Sequence, residues 1–321
     1  MVFDTILNKI KEAKSIAIFT HIKADGDCLG AGFALYHFCK NLNKEVSVFN
    51  GDKIHSNYRF ITADKVKSQL DKDYDLFIAV DSAVLKKLGC FEVAFSKHKN
   101  TINIDHHIAN TSYANINFIN PNACSACEVL YDFFTETKQQ LDDKIAQALL
   151  CGLSSDTGCF RHSNTTHRAH FIASELLKYN VNLEEMNYYL FRIKTKAEIN
   201  LIIKIYQNLK YFSNGRVVIS GFDKRDLDEV GASFEDDPHL SEELSGIEGV
   251  QIAITYRQDV DNGYYVSFRS SGDIDVNLLA KTFGGGGHKH ASGCKLYDTK
   301  SNIIKKLAKE AGKFVRWLMV F

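Results

Sequence analysis

Four separate segments in the first half of the sequence carry acidic and imidazole side chains that could act together. They contribute, in chain order, His21, Asp25, Asp27, Asp81, Asp105, His106, His107 and Asp156. Crowded carboxylates repel one another, which raises their pKa values and disfavours ionisation unless cations are present. A single aspartate more often caps a helix, and a lone histidine is more often structural. Agreement among four segments favours a metal site instead.

The mixture of donor atoms indicates which metals would bind. Imidazole nitrogens together with several carboxylate oxygens favour Mn²⁺ or a similar borderline metal; Mg²⁺ and Co²⁺ are alternatives, and Zn²⁺ also stays open. Two such ions about 3.5–4 Å apart can share a bridging carboxylate and a water, whose pKa they lower. The chemistry predicted for the cluster is therefore phosphoester hydrolysis without a covalent enzyme intermediate.

Short apolar runs alternate with helical patterns around these segments. The runs are SIAIF, EVSVF, DLFIAVD and TINID, at 15–19, 45–49, 75–81 and 101–105, and helices are predicted at 3–14 and roughly 28–41. Buried strands that alternate with helices predict a parallel sheet with crossover connections. In such sheets, ligands bind outside the carboxyl ends of the strands. The acidic segments follow those ends, so the sheet would bring them together.

The hydrophobic pattern changes in the second half of the chain. Helices are predicted from about 124 to 207, interrupted by a polar loop, whereas RVVISGF, QIAITYR and YYVSFRSSG are typical of strands. We predict an α/β protein with an N-terminal parallel-sheet domain at 1–190, a helical connector at 191–214 and a smaller C-terminal α/β domain at 215–321.

Composition restricts the class of ligand and the compartment. Lys plus Arg equals Asp plus Glu at 39 each, so the formal net charge is zero. Proteins that bind long nucleic acids usually carry a basic excess, so a small phosphorylated ligand fits better. The scattered cysteines favour a reducing cytoplasm, and the CxxC of Cys124 and Cys127 is interpreted as the start of a helix rather than a redox or metal pair. No apolar run is long enough for a membrane segment.

Five motifs, in order, resemble the DHH phosphoesterase superfamily. Four lie in the first half, THIKADGDCLGA, the aspartate of IAVDSA, NIDHH and GLSSDTGCF, while GGGGHKHASG resembles the glycine-rich signature of the C-terminal domain in the first subfamily. Ala24 stands where the family commonly has proline, a change in loop stiffness rather than in ligands. The short chain is most similar to the bacterial nanoRNase/pAp-phosphatase branch.

The resemblance implies a role for each residue of the cluster. One metal would be held by His21 and Asp25, and the other by Asp27, His106 and Asp156, with Asp81 bridging the two. Asp105 would orient the ring of His106 through its second nitrogen, as metal-bound imidazoles usually require. His107 would lie against the scissile phosphate as a hydrogen-bond donor or proton source.

The glycine-rich stretch predicts a second binding region. Successive glycine N–H groups can form a concave phosphate site, although a flexible turn is the ordinary interpretation of such a run. Arg269 could add a bidentate contact to a phosphate. The resemblance implies that Arg269, Gly285, Gly286 and His288 hold the phosphate and base of a short nucleotide, with closure between the domains controlling access.

The leading hypothesis is a Mn²⁺-dependent hydrolase of very short RNA and linear dinucleotides that also acts on 3′-phosphoadenosine 5′-phosphate (pAp). A dedicated pAp phosphatase is the alternative within the same chemistry, and a catalytically inactive nucleotide-binding regulator is the alternative from another class. Pyrophosphatase and long-strand exonuclease relatives fit less well, because they carry a different C-terminal domain or additional nucleic-acid-binding domains. The family also implies a homodimer.

Overall fold

The computed structural model describes residues 2–315 apart from 64, 239 and 260. The chain divides into two compact units, with the boundary between Ile193 and Lys194. Each unit contains its own sheet and its own hydrophobic core.

The first unit is built on a six-stranded parallel sheet with the strand order β3-β2-β1-β4-β5-β6. Its strands are β1 Ser15–Phe19, β2 Glu45–Phe49, β3 Val66–Lys67, β4 Leu76–Val80, β5 Thr101–Asp105 and β6 Ile116–Ile119. Every residue of β1, β4 and β5 is buried. Continuous burial is the pattern of parallel strands that are covered on both faces.

Helices cover both faces of this sheet. They are α1 Val2–Glu12, α2 Gly26–Asn41, α3 Arg59–Thr62, α4 Glu92–Lys97, α5 Ala126–Glu136, α6 Asp143–Asp156, α7 His167–Leu176 and α8 Leu183–Asn187. Alternate residues of β1 enter different cores: Ile18 packs in the larger cluster with α1, α2, α5 and α6, and Phe19 packs with Phe77 and Phe95 on the other face. This alternation follows from the two-residue period of a strand.

Helices α2 and α6 form an antiparallel pair in close contact. A Cβ atom added at Gly30 would lie 2.5 Å from the carbonyl oxygen of Ala148, and one added at Gly152 would lie 2.6 Å from Oδ1 of Asp27. Only glycine allows the two backbones to approach this closely. The pair therefore fixes the position of Asp27 relative to the end of α6.

The second unit begins with α9 Lys196–Gln207 and contains a mixed sheet in the order β11-β12-β10-β9-β8-β7. Strands β8 and β9 are parallel and the other neighbours are antiparallel. The strands are β7 Lys210–Phe212, β8 Val217–Phe222, β9 Ile252–Gln258, β10 Tyr264–Ser270, β11 Gly286–His288 and β12 Ala291–Leu296. The remaining helices are α10 Lys224–Val230, α11 Ser241–Ser245, α12 Val276–Lys281 and α13 Lys300–Ala311.

The predicted fold class is confirmed, and two local differences have clear causes. Helix α2 begins at Gly26, not at 28, because the carboxylate of Asp25 caps it by accepting the N–H of Cys28 at 3.0 Å. No strand was predicted in the glycine-rich stretch, yet Gly286–His288 is a strand because it pairs with β12. Within the described residues, no helix has the length and apolarity to cross a membrane.

Candidate metal centre

The fold brings the predicted ligands together at the carboxyl edge of the parallel sheet. Each follows or ends an element: His21 after β1, Asp25 and Asp27 at the start of α2, Asp81 after β4, Asp105 at the end of β5, His106 and His107 next, and Asp156 at the end of α6. Apart from Asp25, these residues belong to overlapping groups whose donor atoms lie within 4.8 Å of one another, and the groups share Asp81 and His106. The convergence expected from the strand ends is thus present.

The first group surrounds the ring of His21. Its Nε2 lies 3.4 Å from Oδ2 of Asp81 and 3.8 Å from Oδ2 of Asp25. The other ring nitrogen, Nδ1, is 2.8 Å from the carbonyl oxygen of Ile22. A donated Nδ1–H fixes the tautomer, which leaves Nε2 free as a metal ligand.

The second group surrounds the ring of His106. Its Nε2 lies 3.3 Å from Oδ2 of Asp156, 3.5 Å from Oδ1 of Asp81 and 3.9 Å from Oδ2 of Asp27. Its Nδ1 is 3.2 Å from the carbonyl oxygen of Ala123. Both imidazoles therefore have one nitrogen against a backbone carbonyl and the other against carboxylates, as in metal-bound histidines.

Asp105 does not make the contact with the His106 ring that the sequence led us to expect. Its Oδ1 accepts a hydrogen bond from the backbone N–H of His106 at 2.8 Å and lies 2.8 Å from Nδ1 of His107. Its Oδ2 accepts a hydrogen bond from Nδ2 of Asn110 at 2.5 Å. The ring of His106 instead turns toward Ala123, which precedes α5 and is distant in sequence. Asp105 thus organises the loop after β5 and fixes the ring of His107.

Asp27 lies fully buried at the N-terminus of helix α5. Its two carboxylate oxygens accept the N–H groups of Ala126 at 2.6 Å and of Cys127 at 3.0 Å. These bonds and the helix dipole favour a negative charge. Burial and the carboxylates of Asp81 and Asp156 nevertheless raise the pKa of Asp27 well above its usual range.

The electrostatics of the cluster fit bound cations. Burial raises the pKa of Asp156 to about 6, with the neighbouring carboxylate of Asp81 adding to the effect. Burial opposes a charged His106 ring, but the neighbouring carboxylates of Asp81, Asp27 and Asp156 raise its pKa. Without cations, the raised pKa values favour the protonated forms of these side chains. Bound cations would displace those protons.

Asp81 offers the most direct sign of a missing partner. Its Oδ1 atom is buried and has no hydrogen-bond partner within the described structure, although buried polar atoms are nearly always satisfied. Its backbone is in the left-handed region, with φ of 50°, which is uncommon for a residue with a side chain. The donor set and this unsatisfied oxygen both fit a metal between the two groups.

Sequence reasoning missed Cys28 and Asn110. The Sγ atom of Cys28 accepts the N–H of His21 at 3.1 Å and shares a donor group with His21 and Asp81. Its position next to Asp27 in the first turn of α2 was the available signal. The Nδ2 of Asn110 donates to Asp105 and, at 3.2 Å, to the carbonyl oxygen of Ser82.

The residues predicted to contact substrate lie on the sheet of the second unit. Arg269 in β10 pairs with Ala291 in β12, and Ala291 pairs with His288 in β11. Directly paired residues of antiparallel strands point to the same face, so Arg269 and His288 share a face about 10 Å apart with a small residue between them. His288 and Gly286 are exposed.

The glycine run differs from the expected concave arrangement of free N–H groups. The N–H of Gly284 donates to the carbonyl of Lys281 at 3.1 Å, and that of Gly285 donates to Ala280 at 2.9 Å. Gly284, with φ of 74°, therefore lies in the turn that follows helix α12. The N–H of Gly285 is engaged by the helix, so the expected phosphate contact from that group is not available.

Two sequence families match the chain. The DHH family, N-terminal domain, matches residues 15–153, and the DHHA1 domain matches residues 214–316. The chain therefore contains a DHH domain followed by a DHHA1 domain. The metal centre lies mostly in the DHH domain, with Asp156 just beyond the matched range, and Arg269, Gly286 and His288 lie in the DHHA1 domain.

Two relatives match nearly the whole chain. The chain is 29% identical over 309 residues to a "probable bifunctional oligoribonuclease and PAP phosphatase NrnA" of Streptococcus mutans, covering 94% of this chain and 95% of that protein. It is 26% identical over 309 residues to the "bifunctional oligoribonuclease and PAP phosphatase NrnA" of Bacillus subtilis, covering 94% and 96%.

Two solved structures share the fold. An exopolyphosphatase-related protein from Bacteroides fragilis matches with a TM-score of 0.89 at 22% identity, covering 98% of this chain and 96% of that one. RecJ from Thermus thermophilus in complex with Mn²⁺ matches with a TM-score of 0.52 at 13% identity. This DHH chain covers only 54% of RecJ, so RecJ carries substantial additional structure.

Proposed function

We propose that this protein is a metal-dependent phosphoesterase that hydrolyses short oligoribonucleotides and linear dinucleotides and removes a phosphate from pAp. The observation that carries the proposal is the Asp and His cluster at the carboxyl edge of the DHH sheet. Relatives named for both activities match the chain from the DHH domain through the DHHA1 domain. The zero net charge favours a short substrate over a long polymer.

Two groups of residues would hold the metals. His21 and Asp25 would bind one ion, and Asp27, His106 and Asp156 the other, with Asp81 shared between them. Mn²⁺ is the ion that this mixture of imidazole and carboxylate favours, with Mg²⁺ or Co²⁺ as alternatives. Bound there, the ions would supply an activated water and neutralise charge on the phosphoryl group.

His107 and Asp105 would act on the substrate without being the principal metal ligands. The His107 side chain is 46% exposed, and its Nδ1 faces Oδ1 of Asp105 at 2.8 Å, so Nε2 is the nitrogen available to a phosphate oxygen. The hydrogen bond that His107 donates to Asp105 raises the pKa of His107, which favours a charged ring. Such a ring can donate a hydrogen bond to a phosphate or a proton to the leaving oxygen.

The DHHA1 domain would bind the far end of the substrate. Arg269 provides a planar donor for a phosphate, and His288 lies on the same sheet face two strands away. Replacing Arg269 with alanine should raise KM for a linear dinucleotide by about tenfold and leave kcat nearly unchanged, because the contact is remote from the reacting bond. Arg225, exposed on α10, is the matched control, and an unchanged KM in Arg269→Ala would reject this assignment.

The compartment and the assembly state are further parts of the proposal. Eight cysteines are present as free thiols, which agrees with a reducing cytoplasm. A homodimer stays a prediction, as does closure of the two domains over the substrate.

A substrate panel tests the proposed function. The panel contains pAp, linear pGpG and pApA, RNA of two to five nucleotides and RNA of about 24 nucleotides, each with Mn²⁺ and with EDTA. We expect rapid release of mononucleotides from the short substrates and of phosphate from pAp, with Mn²⁺ only. Rapid cleavage of the longest RNA, or full activity in EDTA, would overturn the proposal.

A further inference from the structure

A second pocket lies at the opposite end of the helix pair that carries the metal ligands. Helices α2 and α6 are antiparallel: Gly26 lies beside Ser155 near the metal centre, and Nδ2 of Asn41 donates to Oδ2 of Asp142 at 2.7 Å at the other end. A cavity of about 700 Å³ opens at that second end. At 1.5 Å per residue, the length of α2 separates the two sites by about 20 Å.

Three lysines line this cavity without a carboxylate partner in the described part of the chain. The ammonium groups of Lys40 and Lys65 each lie 5.6 Å from the centre of the Tyr36 ring, and Lys144 is the third. Nearby Lys67, by contrast, is paired with Asp71 at 2.7 Å. Like charges gathered around one ring repel each other, and an anion would relieve that repulsion.

The acidic residues of the pocket are already engaged by other groups. Asp142 caps α6 by accepting the N–H of Ile145 at 2.8 Å, and its second oxygen accepts from Asn41. Asp143 accepts the N–H of Asn180 at 3.1 Å. These carboxylates hold the local backbone in place and do not pair with the three lysines.

The pKa of His37 also indicates that positive charges lie near the cavity. Burial and the charge of Lys144 lower the pKa of His37 to about 4 against an opposing effect of Asp142, and Lys65 lowers it by a further, smaller amount. The ring is therefore neutral at pH 7, and it can both donate and accept hydrogen bonds. Tyr36 and Tyr179 add aromatic surface to the same cavity.

We propose that this pocket binds a small ligand that carries a chain of two or more phosphate groups. Three mobile ammonium groups suit several phosphate oxygens at once, since lysine binds phosphate as a point charge. The cavity volume lies within the range of about 300–1,000 Å³ that is typical of small-molecule sites. The site is separate from the metal centre and does not depend on it.

Calorimetric titration of the full chain in EDTA tests this site while preventing hydrolysis. ATP and inorganic tripolyphosphate are the probes, and adenosine is the control ligand. We expect saturable binding of at least one phosphate probe and none of adenosine; comparison of the two probes shows whether the ligand is a nucleotide or a bare phosphate chain. Lys40→Ala/Lys65→Ala should weaken binding at least about tenfold, because two charged contacts are lost.

A matched control variant and chemical labelling of the lysines show where the phosphate probe binds. Lys99→Ala/Lys309→Ala removes the same charge from exposed lysines elsewhere, one of them also in the last turn of a helix, and should bind like the unmodified protein. Bound ATP or tripolyphosphate should also protect Lys40, Lys65 and Lys144 from an amine-reactive reagent. Absence of binding, equal binding by both double variants, or no protection of these lysines would overturn the proposal.

Discussion

At the scale of single residues, Asp81 is the point where the two groups of candidate ligands meet. Its Oδ2 lies against His21 and its Oδ1 against His106, and the latter oxygen has no hydrogen-bond partner within the described structure. The sequence placed Asp81 correctly at the end of a strand. It could not show the strained backbone or the shared contacts, because both depend on elements far apart in the chain.

Replacing Asp81 with asparagine should abolish turnover and preserve the fold. The amide keeps the shape but removes the charge that would bridge two cations, so we expect a rate at least about a thousandfold lower at saturating Mn²⁺. The free energy of unfolding in EDTA should not fall, because a carboxylate is removed from a crowded acidic cluster. Asp71→Asn, at an exposed ion pair, is the control. Substantial residual turnover would reject the bridging role.

Asp105→Asn should separate positioning from metal binding. Asp105 raises the pKa of His107 through a direct hydrogen bond, so its loss lowers that pKa. If His107 must be protonated, activity falls as pH rises through its pKa, and in the variant this fall moves to lower pH. We expect kcat to drop about a hundredfold, typical of impaired general acid catalysis, with little change in Mn²⁺ affinity. An unshifted pH profile would contradict the role.

The depressed pKa of His37 predicts a pH dependence of stability. The folded protein binds the His37 proton near pH 4, and the unfolded chain binds it near 6.5. Between these values the unfolded state holds more protons, so the free energy of unfolding decreases as pH falls from 6.5 to 4. Denaturant unfolding of His37→Gln should show a smaller decrease over this window. An identical decrease in both proteins would show that His37 contributes nothing.

At the scale of elements, the hydrophobic pattern predicted the strands whose own residues favour burial in the sheet. The apolar runs at β1, β2 and β5 have the bounds expected from the sequence, because burial on both faces requires continuous hydrophobic residues. The strand at Gly286–His288 was not predicted, since its partner strand stabilises it and its own composition does not favour a strand. The contact of the His106 ring with the carbonyl oxygen of Ala123 was also missed, because the two residues are separated in sequence and only the fold brings them together.

The close packing of α2 on α6 should make Gly152 intolerant of a side chain. A Cβ atom there would lie 2.2 Å from Sγ of Cys127 and 2.6 Å from Oδ1 of Asp27. We expect Gly152→Ala to lose about 1–3 kcal/mol of stability from overpacking and to weaken Mn²⁺ binding by displacing Asp27. In the control Gly246→Ala the nearest atom is 3.3 Å away. Equal thermal stability and metal affinity in the two variants would contradict this account.

At the scale of the whole molecule, the acidic cluster and the predicted substrate-binding residues lie on two separate sheets. The parallel sheet gathers acidic and imidazole groups at its carboxyl edge, and the mixed sheet presents Arg269 and His288 on one face. Neutral overall charge gives little attraction for a long polyanion, so under the proposed function affinity would come from a few specific contacts. That combination fits a hydrolase of short nucleotides, whose substrates are small enough to be held by a few groups.

The most direct test is anomalous diffraction at the manganese absorption edge from crystals of this protein grown with abundant Mn²⁺. The account predicts two peaks at the carboxyl edge of the parallel sheet. One should lie among His21, Asp25 and Asp81, and the other among Asp27, His106 and Asp156, with Asp81 in contact with both. A well-resolved map with no peak there, or with these side chains turned away from one another, would contradict it.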